Sequence, residues 1–165
     1  MPTLTIAQVE AAVLGRLQER IDTVAVDAYP DRPETYQLKH ASGAVLVRYA
    51  GSRFGEPEPT DVVAQTQTIT IEAVTMVRNL HKLGDHAGLL DLLHAVRAAL
   101  TGYRIPSASA IWPVQEAYEG YADGVWQYVT TFALGTLHTE PPVTRPKIEY
   151  TEGVGYADDI SRFLA

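Results

Sequence analysis

The 165-residue chain is 46% hydrophobic and 20% charged, with 12 Gly and 10 Pro, the profile of one globular domain. A domain of about 150 residues buries roughly 68–70% of its unfolded-chain surface and needs no metal or disulfide staple; the lack of Cys also excludes thiol catalysis and Cys-ligated zinc. Thirteen Lys and Arg against twenty Asp and Glu leave a formal charge of -7, the wrong sign for a chain that grips nucleic acid through its phosphates.

The N-terminus has no basic segment followed by an unbroken apolar run, and other apolar stretches fall short of the ~18 residues of a membrane span. This pattern points to a protein made and used in the cytosol. Residues 5 to 21 predict a helix. Thr5 and Gln8 form a capping-box pattern, and Val9, Val13, Leu14, Leu17 and Ile21 share one face that should lie against a sheet. Thr23 to Ala28 alternates Val24 and Val26 with smaller or polar residues as a short strand does, and Tyr29-Pro30-Asp31-Arg32-Pro33 turns the chain.

Gly43 to Tyr49 is nearly continuously apolar, as in a strand covered on both faces. Gly51 to Asp61 carries Gly, Pro and acids without periodicity and reads as a long exposed loop. From Gln65 to Val77, Ile69, Ile71, Ala73 and Val77 oppose Thr66, Thr68, Thr70 and Glu72, a long strand with one wet face. Asp85 is the expected N-cap of a second helix bearing Leu89, Leu92, Leu93, Val96 and Leu100 and ending at Gly102. Beyond Ile105-Pro106 and Trp112-Pro113, Asp123-Gly124 separates two aromatic-rich runs, Gln115 to Tyr121 and Val125 to Phe132, a strong hairpin signal. Residues 140 to 165 contain Pro141-Pro142 and Pro146 and read as a tail, with Tyr156, Ile160, Phe163 and Leu164 able to form one short amphipathic docking turn.

No phosphate-binding glycine loop is present: Gly153-Val154-Gly155 lacks both the third glycine and a preceding strand. No serine lies in a G-x-S-x-G elbow, and nothing marks Ser107 or Ser109 as a nucleophile. His81, His86 and His94 lie near Asp85 and Asp91, but an eight-residue helical spacing is ~12 Å, too far for one ion. They read as solvated histidines, and no metal or cofactor is expected. Glu56, Glu58 and Asp61 lack the desolvated pocket that a catalytic acid and base need and read as a partner-facing acidic loop. Trp112, Trp126, Tyr118, Tyr121 and Tyr128 are not interleaved with cations, there being no Lys or Arg from Gln115 to Leu137. Core and cross-strand packing explains them better than base stacking.

Taken by themselves, these residues describe an acidic cytosolic α/β interaction domain. The stretch GAVLVRYAGSRFGEPEPTDVVAQTQTITIEAVTMVRNL, then LLDLLHAVRAALTGYRIP, then a Tyr-rich hairpin around GYADGVWQY, resembles tail terminator (tail completion) proteins of Mu-like phages and prophages. The likeness runs from about Leu4 to Thr139. It implies an α/β (α+β) domain over residues 1–139: a mixed, largely antiparallel sheet, two main helices on one face and a long loop after the second strand. Residues 140–165 form an extended tail that the likeness does not cover. It also implies a structural, non-enzymatic protein of the virion, assembled in the bacterial host cytoplasm. Its hexameric ring at the head-proximal end of the tail tube stops tube growth and offers a surface for joining the head. The expected partners are the chain itself, the tail tube protein and head–tail connector proteins, with no specific hold on DNA and no membrane. A different virion ring component, such as a connector or tube subunit, and a small enzyme using His81, His86 or His94 are the alternatives. Arg53, Phe54, Glu56, Glu58 and Asp61 are the candidate tube or subunit contact, since Arg and aromatics are enriched at interface centres. Tyr156, Ile160 and Phe163 are the candidate C-terminal docking residues.

Overall fold

A computed structural model describes residues 3–81, 84 and 88–142. Helix α1, Ile6–Arg20, starts at the expected capping box: the Thr5 hydroxyl accepts from the Gln8 N–H, and the Gln8 side chain accepts from the Thr5 N–H. Two of the backbone donors orphaned at a helix start are thereby satisfied. Val9, Val13 and Leu17, four residues apart, form its buried stripe. Helix α2, Leu89–Leu100, buries Leu89, Leu92, Leu93, Val96, Ala99 and Leu100. Its N-cap is Gly88, which caps with no side chain; the expected cap, Asp85, lies outside the described residues. A Gly in extended geometry serves there at little cost relative to an Asx or hydroxyl cap. Arg16 ties the helices together, donating to the Ala99 carbonyl at 3.0 Å with its guanidinium 5.0 Å from the Tyr103 ring centroid.

Strands β1 (Ala25–Ala28), β2 (Gly43–Phe54), β3 (Ala64–Val77), β4 (Trp112–Ala122) and β5 (Val125–Thr139) form one sheet in the order β1-β2-β3-β5-β4. Only β1 and β2 are parallel. The sheet is therefore mixed and largely antiparallel, and both helices pack on one face, as expected. That face carries Val45 and Val47, Ile69, Ile71, Ala73 and Val77, and Phe132 and Leu134, all buried with the two helices in one cluster. Paired residues share a face, and the register Ile71↔Phe132 and Ile69↔Leu134 brings these apolar rows together.

On the opposite face Ala44, Leu46, Val74 and Val129 form a smaller cluster covered by Tyr29, Tyr36 and Leu38 of the β1–β2 connection. Val74 is buried where the alternation predicts a wet face; farther along β3 on that face, Thr66 is exposed and Thr68, Thr70 and Glu72 are half-buried. The cover extends over only part of the sheet. Arg48 and Glu72 pair at 2.6 Å on the same face, with the guanidinium 4.8 Å from the Tyr29 ring centroid. Burial opposes the Arg48 charge, but the Glu72 hydrogen bond and charge, with those of Tyr29 and Glu119, outweigh it and hold its pKa above the ordinary value.

The expected loop over 51–61 is in part strand. Gly51 through Phe54 continue β2, pairing with Thr70 to Gln67 after a bulge between Tyr49 and Gly51. Gly51 has φ +137, a value side chains rarely adopt, so the glycine that signals a break in the sequence makes a bulge instead. The connection proper is 55–63. At the other hairpin the expectation holds: Asp123 and Gly124 have φ of +54 and +77, the left-handed pair that a tight two-residue turn requires.

Two predictions follow from this packing. Thr75 lies in the sheet with its hydroxyl buried and unpartnered, and such a group costs its desolvation. Thr75→Val should therefore raise stability by about 1 kcal/mol in urea unfolding. Tyr36 has its pKa raised from the ordinary 10.0, first by burial and then by the charge of Asp27. A raised folded-state value means that its stabilising contribution is full below pH 10 and is lost as pH rises through the folded pKa. Melting temperature should fall above pH 10 in the native chain, and Tyr36→Phe should flatten that fall.

Candidate functional site

The exposed surface of β4 departs most from ordinary packing. Ten of its eleven residues are exposed and Gly120 is half-buried, and Trp112, Val114, Tyr118 and Tyr121 retain 42%, 57%, 54% and 55% of their accessible surface. The strand forms because its alternating residues pair with β5, bulging at Pro113/Gln115 and Tyr118/Gly120. Since β4 pairs with β5 alone, its outer edge offers free backbone donors and acceptors, the usual template for adding another strand. Tyr118 lies 6.2 and 5.4 Å from the ring centroids of Trp126 and Tyr128, and Tyr121 lies 4.7 Å from Trp126. These rings do pack across the strands, but Trp112, Tyr118 and Tyr121 are not core. Sequence reasoning placed them inside because their burial depends on what covers β4, and no described element does.

The charged residues on β4 and its turn are all acidic, one of them paired with a cation of α2. Glu116 accepts from Thr130 at 2.9 Å and lies 3.7 Å from Arg97 of α2, while Glu119 and Asp123 are exposed. Beyond the start of β4, the end of the sheet exposes further apolar side chains on both of its faces. Phe54, Val62, Val63 and Leu137 are each about half exposed, and Phe54 stacks edge-on with His138 at 5.3 Å. Here β5 outruns β4. Gly135 donates to and accepts from Ser109, so its backbone faces the β4 side, and strand alternation turns Leu137 and Thr139 the same way, past the start of β4 at the level of Ala133. The chain then continues along the loop, with Glu140 donating from its N–H to the Val63 carbonyl at 2.9 Å.

The expected contact residues are therefore divided. Arg53 and Phe54 sit on adjacent positions of β2, pointing to opposite faces, and Glu56, Glu58 and Asp61 are exposed in the loop that follows. Tyr156, Ile160 and Phe163 lie outside the described residues, as does His86, while His81 and His94 are exposed. Ser107 and Ser109 are structural: the Ser107 carbonyl accepts from Thr136 and the Ser109 hydroxyl from the Gly135 N–H. Among the described residues no group of three His, Asp or Glu is placed to hold a metal ion, and no helix is long and apolar enough to cross a membrane. A hollow of about 490 Å³ lies between Leu38, Met76 and Arg78 and the β4–β5 turn, within the size range of ligand sites. Another, of about 790 Å³, is framed by Asp27, Arg32, Tyr36, Lys39 and His40.

Because Trp112 and Val114 make little contact within the chain, Trp112→Phe with Val114→Ser should move unfolding stability by less than about 0.5 kcal/mol. The same pair should weaken self-association at least several-fold in sedimentation velocity if this strand is an interface.

Comparison with known proteins adds one family. Residues 13–151 match the model described as Gp37 protein. No curated protein matches the chain.

Proposed function

Since the chain belongs to the Gp37 protein family, a phage-associated family, we propose that it is a structural protein of the phage tail. In this reading it is a tail terminator, a non-enzymatic subunit of a hexameric ring on the head-proximal end of the tail tube, where it halts tube growth and presents a surface to head–tail connector proteins. One observation carries the proposal: apolar side chains are exposed at two unlike places, along the bare β4 edge and at the Phe54, Val62, Val63 and Leu137 end of the sheet. A subunit with two different contact surfaces associates head to tail, and that mode closes rings without two-fold axes. Exposed apolar patches of this kind mark assembly surfaces. The likeness of Gly43–Leu80, Leu89–Pro106 and the Tyr-rich hairpin to tail terminators of Mu-like phages supports the finer identification. The net charge of -7 suits a ring that lets DNA pass without gripping it.

Electron microscopy of the purified protein mixed with tail tubes tests this reading. The expected result is a single closed ring at one end of each tube, and tubes of uncontrolled length when the gene is deleted. Long stacks built from this protein alone would identify a tube subunit, and two-fold dimers on tubes would overturn the ring.

A further inference from the structure

The β4 edge suits an extended, basic partner, and the chain itself contains a basic segment. From Gln115 to Leu137 there is no Lys or Arg, and Glu116, Glu119 and Asp123 stand along β4 and its turn. Immediately after the last described residue, Pro142, residues 143–150 have two cations, Arg145 and Lys147, against one acid, Glu149, and Ile148 and Tyr150 alternate with them. A proline is tolerated where a strand adds to a sheet edge.

Reach decides which copy supplies it. Strand β5 continues six residues beyond Ala133, the level at which β4 begins, and Glu140 to Pro142 carry the chain farther, so Pro142 lies roughly 30 Å past Trp112 at ~3.3 Å per residue. Folding back within the same subunit would use about nine residues to regain that level. The segment then lying beside Glu116 and Glu119 would start near Glu152 and include Asp158 and Asp159, placing like charges together. The basic stretch reaches a β4 edge without that conflict only on another subunit. We propose, resting on the ring reading above, that residues 143–150 of each subunit add as an extra strand to the free edge of β4 in a second copy of this chain. Donor and acceptor surfaces are then different, the asymmetry a head-to-tail assembly requires. Arg145 and Lys147 meet the acidic, aromatic surface of Glu119, Tyr118 and Tyr121, where cations gain from both charge and ring faces.

The absence of Cys makes the test direct. Full-length chains carrying Ala117→Cys and chains carrying Ile148→Cys are mixed, free and on tail tubes, and treated with a short bismaleimide. The expected product is a joined pair of two different chains, and a ladder of higher multiples when both cysteines are on one chain. Glu119→Lys, or Arg145→Glu with Lys147→Glu, should each lower the yield several-fold, and the combination should restore it. Circular dichroism of each variant checks folding, and a second acceptor position, Gln115→Cys, guards against a local defect at Ala117. No joined pair under either condition overturns the proposal, as does linkage confined to single chains, or wild-type assembly by a chain ending at Pro142. Microscopy of the same samples keeps the two readings apart. Closed rings without the cross-link remove the strand exchange alone, whereas the cross-link in open or two-fold assemblies removes the ring alone.

Discussion

The ladder between β3 and β5 is the constraint on which the rest depends. It pairs every residue of β3 with a residue of β5, from Ala64↔Thr139 to Val77↔Trp126. A slip of one residue would turn Phe132 and Leu134 to the wrong face and strip α1 and α2 of the surface they cover. With the register set, Ile69, Ile71, Phe132 and Leu134 make a continuous apolar floor. Both helices settle on it because their own stripes have nowhere else to go. Among the described residues the opposite face receives only the Tyr29 to Leu38 cover, so there are three layers near β1 and β2 and two at β3 and β5, with β4 at the uncovered edge.

That asymmetry leaves β4 open. An exposed edge of eleven residues is a liability for a monomer, and here it is moderated by Pro113, two bulges and the charges of Glu116 and Glu119, the usual means of discouraging indiscriminate pairing. These features do not close the edge to a partner of matching charge. The aromatic side chains along it bring large contact area at small entropic cost. The extension of β5 past β4 has a second effect: it carries the chain, as far as Pro142, beyond the start of the subunit's own free edge.

Electrostatics sort the two sides of the sheet. Arg48 is neutralised by Glu72 and held over Tyr29, while Arg53, farther along the same face, is exposed. The β4–β5 hairpin carries Glu116, Glu119 and Asp123 and no Lys or Arg, a surface whose charge is complementary to a basic segment and not to phosphate.

Much of the fold is determined by the amino-acid sequence alone. The capping box at Thr5, the four-residue spacing of Val9, Val13 and Leu17, the alternation from Ile69 to Val77 and the Asp123-Gly124 turn are local patterns. Each was legible because a helix turn, a strand pleat or a tight turn is decided within a few residues. The candidate site was legible only in part. Gly51 reads as a break, but the partner strand converts it into a bulge and keeps Arg53 and Phe54 in β2. Asp85 reads as a cap, yet the helix begins after Gly88. Val74 belongs to a row that looks wet until the β1–β2 connection folds over it. The rings of β4 look like core residues, and are exposed because α1 packs over β1 and β2 and α2 over β3 and β5. In each case the deciding partner is distant in sequence, and burial depends on what folds over a residue, which only the tertiary structure decides.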